Sequence, residues 1–137
     1  MVATRGEGDA GSITINALGT VSFDGVGSNG RSSNAFSTVE QTATGNGGEI
    51  NITANRLSIS NGAVIGGTTR ALGNGANINI KVNFLELLNG GQILTTSRAG
   101  GNAGNITVNA SDKIAISGSD PSFPERLDRI GRPTVRN

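Results

Sequence analysis

The chain reads as an all-β protein, a parallel β-helix of about four coils, each of 28 residues with three short strands. Three observations predict this. One ten-residue phrase, a glycine-rich turn followed by Ile or Val alternating with polar residues, occurs at Gly8–Ala17, Gly45–Ala54, Gly73–Val82 and Gly101–Ala110. Strict alternation is the mark of a half-buried strand, because successive side chains leave a strand on opposite faces. The interval is fixed: Gly45 to Gly73 and Gly73 to Gly101 are both 28 residues, too few for the four-stranded blade of a propeller. Superposing the copies also puts like on like. The inward columns are Ile13-Ile50-Ile78-Ile106, Ile15-Ile52-Ile80-Val108 and Ala17-Ala54-Val82-Ala110, and the outward ones are Thr14-Asn51-Asn79-Thr107 and Ser12-Glu49-Asn77-Asn105.

No single copy can bury its isoleucines, so the copies must cover one another. Each buried Ile contributes roughly 1.5–3 kcal/mol, and a one-residue slip would turn every one outward, so the register is firmly set. Right-handed winding is the general preference of parallel crossovers.

Taken in order, Thr4-Arg5 precedes Gly8 as Thr69-Arg70 precedes Gly73 and Ser97-Arg98 precedes Gly101, so the chain is expected to start within a repeat. The first full unit, Gly8 to Thr44, places Ile13, Ile15, Val21, Phe23 and Ala35 to Val39 on strands. It spans 37 residues, nine more than the next unit. Aligning Gly25 with Gly62 and Ala35 with Ala63 assigns the excess to a surface loop, Val26–Asn34. The second and third units keep one register, with Leu57 and Ile59 before Asn61-Gly62 and Leu85 and Leu87 before Asn89-Gly90, each Asn-Gly pair marking a turn. The fourth runs from Gly101 to Gly118, with Ile114 and Ile116 spaced from Ala110 as Val21 and Phe23 are from Ala17. The repeat region is therefore 1–118. The remaining 119–137 hold all 3 prolines and are rich in Arg. Two readings stand for them: a short helical cap with Ser122 at its start and Gly131 at its end, presenting Phe123, Leu127 and Ile130 on one side, or a disordered linker.

Composition excludes several kinds of chemistry. With no Cys and no His there are no disulfides, no zinc site of the usual donors and no imidazole base. A net charge of +1 with 15% charged residues gives no electrostatic case for nucleic acid or an anionic membrane. No apolar run approaches the ~18 residues of a spanning helix, and the first residues lack the apolar core of a signal peptide, so no membrane insertion is expected.

With the pattern laid out, the chain resembles the haemagglutinin-like repeats of large two-partner-secretion exoproteins, particularly those abundant in cyanobacteria. The resemblance rests on Gly45-Asn-Gly-Gly-Glu-Ile-Asn-Ile-Thr-Ala54, Leu57-Ser-Ile-Ser-Asn-Gly-Ala63, Gly101-Asn-Ala-Gly-Asn-Ile-Thr-Val-Asn-Ala110 and Phe36-Ser-Thr-Val-Glu40, and it covers about residues 2–121. It implies a right-handed β-helical fibre segment, structural or adhesive, at the outer cell surface or outside the cell. It also implies partners among neighbouring coils, surface polysaccharide or a neighbouring or host cell. The family's amino-terminal secretion domain is not in this sequence, and no binding residues carry over, because the matching positions are scaffold positions.

The remaining motifs carry little chemistry. Gly25-Val-Gly-Ser-Asn-Gly30 spells a dinucleotide fingerprint, yet Arg31 to Val39 reads as loop then strand, where the motif needs a helix. Calcium-binding β-helix repeats need an acid in every turn, whereas Asp9 and Glu49 are matched elsewhere by Asn74 and Asn102, or Asn77 and Asn105. Glu49, Glu86 and Asp112 fall at different positions of the repeat, so no carboxylate pair forms for glycoside hydrolysis. Arg5, Arg70 and Arg98 share a position that Thr42 takes in the long unit, giving an outer edge of cations. No catalytic, cofactor-binding or metal-ligating residue is assigned, and the chain is expected not to be an enzyme. The alternative is a polysaccharide-binding or polysaccharide-active β-helix protein. Unpaired edges and apolar columns, Ile13 and Ile15 at one end and Val108 and Ile116 at the other, are expected to favour association end to end.

Overall fold

The computed structural model describes residues 1–118, and among them every regular element is a β-strand. Nine strands follow one another: β1 Val2–Thr4, β2 Ile13–Asn16, β3 Thr20–Asp24, β4 Asn34–Val39, β5 Glu49–Ser60, β6 Val64–Thr69, β7 Asn77–Leu88, β8 Gln92–Ser97 and β9 Ile106–Ser117. They form two sheets in which all named pairings are parallel. One sheet runs β1-β4-β6-β8, and the other runs β2-β5-β7-β9, with β3 also on β5. Consecutive strands thus alternate between sheets after the first turn of chain, as parallel pairing requires.

The registers reproduce the inward columns read from the sequence. Ile13 pairs with Ile50, Ile50 with Ile78 and Ile78 with Ile106, while Ile15, Ile52, Ile80 and Val108 follow beside them. The core lies between the sheets: Ala35 and Ile65 from one meet Ile50, Ile52, Leu57, Ile59, Ile78 and Ile80 from the other. A smaller cluster, Val39, Ala43 and Ala71, fills the corner beside it.

The expectation of three short strands per repeat needs correction. In the units that begin at Gly45, Gly73 and Gly101, the first two expected strands are one continuous strand of 12 residues, β5, β7 or β9. The cause is visible in β5, where Ala54 and Leu57 are buried while Asn55 and Arg56 between them are not. Two successive outward residues reverse the phase of the alternation and carry the backbone round a corner, where the ladder skips Asn55 and Asn83 and resumes at Arg56–Phe84 in the same register. Only the first unit breaks here, into β2 and β3 around Ala17-Leu18-Gly19.

The nine extra residues of the first unit are also distributed differently. Ala35 pairs with Ile65 and Asn34 with Val64, not Ala35 with Ala63. Asn34 therefore belongs to β4, and the loop, closed by an antiparallel bridge between Val26 and Ser32, has six residues more than its counterpart in the next unit. One further residue lies at the break between β2 and β3, since Ile13 to Val21 is eight residues where Ile50 to Leu57 is seven. The last two are Gln41 and Thr42, in a turn where the Ala43 N–H donates to the Glu40 carbonyl at 2.9 Å. The β9 strand has the same single extra residue as the first unit, and a register shift between Val82 and Phe84 of β7 absorbs it.

Close approach of backbones, more than turn conformation, explains the glycines that open the later repeats, Gly45, Gly73 and Gly101. A Cβ added to Gly73 would stand 1.9 Å from the Gly45 carbonyl oxygen, and one on Gly45 would stand 2.1 Å from that of Gly8. Four residues before Gly8, Gly73 and Gly101 stands a hydroxyl. Thr4, Thr69 and Ser97 donate to the carbonyls of Gly8, Gly73 and Gly101, with 2.6 Å for the Thr69 bond, so the repeated Thr/Ser-Arg pair ties down the corner that leads into the next repeat. Val39 holds that position in the long unit.

No helix long and apolar enough to cross a membrane occurs among the described residues. The expected helical cap or linker at 119–137 lies outside the described residues.

Candidate functional site

Parallel stacking at the ~4.8 Å strand spacing puts chemically equal side chains within hydrogen-bond reach of one another, and asparagine exploits this most. The Oδ1 of Asp9 accepts the Asn46 backbone N–H at 2.6 Å, Asn46 Oδ1 accepts that of Asn74 at 3.0 Å, and Asn74 Oδ1 accepts that of Asn102 at 3.2 Å. Side-chain amides form further ladders, Asn79 to Asn51 at 2.9 Å, Asn83 to Asn55 at 2.8 Å and Asn89 to Asn61 at 3.2 Å. Asn61 and Asn89 sit at φ 53° and 48°, the left-handed region that asparagine tolerates at a turn. The abundant asparagines thus serve the scaffold. Their columns were legible in the sequence, and the bonds along them follow once the register is fixed.

At the corner of the long strands an outward cluster gathers that no sequence motif announced. Arg56 and Phe84 are register partners, and the guanidinium carbon lies 4.7 Å from the ring centroid. The same guanidinium donates to Glu86 at 2.6 Å, in an ion pair about a third exposed on each side. The signal was present: alternation reverses between Val82 and Leu85, which obliges Phe84 to face outward. An exposed cation–π contact adds about 0.5–1 kcal/mol and an exposed ion pair less than about 1. Nearby, an open depression of about 400 Å³ is lined by Thr53, Ala54, Lys81, Val82, Asn83, Asn109, Ala110 and Ser111.

The three acids considered from the sequence do not share a register position. Glu49 accepts from the Asn51 side chain at 3.3 Å, Glu86 pairs with Arg56, and Asp112 takes the Ser111 hydroxyl at 3.3 Å from within the register shift of β9. Glu86 is flanked in its column by Ser58 and Ala115. No group of three or more metal-ligating side chains occurs among the described residues. The fingerprint Gly25–Gly30 forms a tight hairpin: the Gly27 N–H donates to the Arg31 carbonyl at 2.7 Å and the Gly30 N–H to the Gly27 carbonyl at 2.8 Å. These N–H groups are spent within the loop, and the strand β4 follows it.

The cation edge is corrected by the register. Thr4, Val39, Thr69 and Ser97 form one column, so the next column is Arg5, Glu40, Arg70 and Arg98, with Glu40 in the place expected for Thr42. Counting back from Gly45 misses this because Gln41 and Thr42 are extra. The edge is of mixed sign, and Arg70 pairs with Glu40 at 3.5 Å. Asp24, which accepts from the Ser60 hydroxyl and the Asn61 amide at 2.7 Å each, has its pKa held below the ordinary 3.8 by those two bonds, the Ser60 bond first.

No protein-family model matches the chain, and no curated protein or solved structure matches it either.

Proposed function

We propose that the chain is a segment of a right-handed parallel β-helix, about four coils of 28 residues, with a structural or adhesive role in a surface exoprotein of the filamentous-haemagglutinin kind, and that it performs no catalysis. The observation that carries the reading is the residue-for-residue parallel register of units 28 apart, Ile50 on Ile78 and Asn51 on Asn79, with outward polar side chains engaged in one another along the stack. Outward groups used this way build length and stiffness. They also present a periodic hydrogen-bonding surface, suited to a periodic partner such as polysaccharide at an outer cell surface. Export through a two-partner system and an extracellular location belong to this proposal as its corollaries.

The second reading, a polysaccharide-binding or polysaccharide-active protein, draws on the depression beside Phe84, where Lys81, Asn83 and Asn109 offer donors for sugar hydroxyls. One experiment separates the two. The purified chain is applied to immobilised polysaccharides and to intact cells, and both retention and release of reducing ends are measured. Retention without release is expected. Release that disappears in Glu86→Gln would overturn the non-catalytic reading, and absence of retention on every surface would overturn the adhesive one.

A further inference from the structure

We propose that the 137-residue chain stacks head to tail on a second copy of itself, with β9 of one copy pairing in parallel with β2 and β3 of the next. The inference stands on strand register, not on the adhesive role, so the two fail separately.

The last repeat presents an apolar end: Ile106, Ile114 and Ile116 are 43%, 51% and 73% exposed, although they continue columns whose earlier members are buried at Ile50, Ile78, Leu57, Leu85 and Ile59 and half-buried at Leu87. Among the described residues β9 pairs only with β7, and β2 and β3 pair only with β5. Exposed parallel edges of this kind are templates for another strand.

The choice of occupant comes from repeat length. From Ile13 to Val21 is eight residues, as from Ile106 to Ile114, whereas Ile50 to Leu57 and Ile78 to Leu85 are seven. Inside the molecule each eight-residue arc meets a seven-residue one, and β7 and β9 need a register shift to do so. Docked end to end, the two eight-residue arcs meet each other. Ile106 then faces Ile13, Val108 faces Ile15, Ile114 faces Val21 and Ile116 faces Phe23, with no shift.

A single displacement satisfies both sheets. Moving a copy by four strand levels, about 19 Å at the usual spacing, puts β2 and β3 under β9 and at the same time β1 under β8. Val2 then lies under Thr95, Ala3 under Thr96 and Thr4 under Ser97, in the columns where β1 already meets β4. The ladders agree in direction. In each, the later repeat donates to the earlier one, as Asn46 does to Asp9 and Asn105 to Asn77, so the carboxamides of Asn102 and Asn105 match the backbone N–H groups of Asp9 and Ser12 in the next copy. One contact opposes: Arg98 would meet Arg5, where inside the chain Glu40 separates Arg5 from Arg70.

The chain has no cysteine, so engineered ones report this contact alone. Thr14 and Thr107 share an outward column but lie three levels apart within one molecule, about 14 Å, beyond disulfide reach. The full chain carrying Thr14→Cys and Thr107→Cys should form a covalent ladder of multimers on mild oxidation, and the out-of-register pair Thr14→Cys and Asn109→Cys should not. In sedimentation of the unmodified chain, Ile116→Lys should abolish association and Leu72→Lys, exposed at mid-stack, should leave it unchanged. Arg5→Glu should tighten it about two- to fivefold at low salt. A monomer at high concentration, or ladders of equal yield from both cysteine pairs, would overturn the proposal.

Discussion

The repeats that begin at Gly45 and Gly73 and the repeat that begins at Gly8 carry the same inward columns, yet they have opposite tolerance for change. The middle pair keep one length to the residue, and Ile50, Ile52, Ile78 and Ile80 are at most 1% exposed. In the first repeat Ile13 and Ile15 are half-buried, and additional residues enter at three corners, one of which splits the strand into β2 and β3, while the register on either side is kept. A repeat covered on both sides is held by two ladders and two layers of packing, while one with a neighbour on a single side is held by half as much. Equal sequence therefore does not mean equal structural weight. The weight comes from how many neighbours a level has.

Chemically equal sites at different levels break this comparison hardest. Ile80→Asp puts an unpaired carboxylate where exposure is 1%, at an expected cost of about 3–5 kcal/mol or more, comparable with the whole stability of a small domain. Ile106→Asp, in the neighbouring column at 43% exposure, should cost about 1 kcal/mol. Urea unfolding followed by circular dichroism measures both. Equal losses would mean that depth in the stack does not set the weight of a level.

The opening glycines sharpen it next. Gly73→Ala drives a methyl group against the Gly45 carbonyl oxygen, 1.9 Å from the new carbon, and since that atom is backbone the strands themselves must part. An expected cost of about 3 kcal/mol follows. Gly8→Ala meets nothing within 4 Å and should be near neutral. Thermal unfolding of the two variants side by side would expose a false premise if they melt together.

A smaller effect belongs to the corner hydroxyl. Thr69 is fully buried, donates to the Gly73 carbonyl at 2.6 Å and accepts the Ala71 N–H at 3.3 Å. Thr69→Val keeps the shape and strands both partners, for about 1–2 kcal/mol. Val39 occupies the same column natively, where two more residues re-route the turn, so Val39→Thr should gain nothing. A stabilised Val39→Thr variant would show that the hydroxyl, not the turn length, is what the first repeat lacks.

How far these features were legible depends on what fixes phase. Ile13, Ile50, Ile78 and Ile106 were readable because alternation and a fixed interval leave one alignment. Phase is lost wherever polar or small residues run together. Between Asp24 and Ala35 nothing distinguishes Ala35 on Ala63 from Ala35 on Ile65, and identity of residue misled where volume and pairing decide. Between Val39 and Gly45 the count back from glycine placed Thr42 where Glu40 stands. The corner at Asn55-Arg56 was visible as a reversed phase, but whether a reversal ends a strand depends on backbone geometry, and at this corner the ladder skips one pair and continues in the same register. Of the outward surface, the cluster of Arg56, Phe84 and Glu86 needed the register before its members, 28 and 30 residues apart, became neighbours.

The smallest expected effect tests the first repeat from its surface. Asp24 heads a ladder that continues through Asn61 to Asn89, and its two bonds, to Ser60 first and Asn61 second, hold its pKa below the ordinary 3.8. A carboxylate with a lowered folded-state pKa stabilises the fold above its unfolded value and loses that contribution as pH falls through the folded value. The contribution is thus complete at neutral pH, begins to fade as pH falls toward the ordinary 3.8 and is lost as pH passes below the folded-state value. Asp24→Asn keeps an oxygen that accepts from Ser60 and Asn61 but removes the charge, so it should lower the melting temperature slightly at pH 7 and not at all in acid strong enough to protonate Asp24. Because the carboxylate is fully exposed, salt should shrink the difference further. A difference that persists unchanged from pH 7 into that acid range would mean that the ladder responds to the shape of residue 24 and not to its charge. The first repeat would then differ from the middle ones in packing alone.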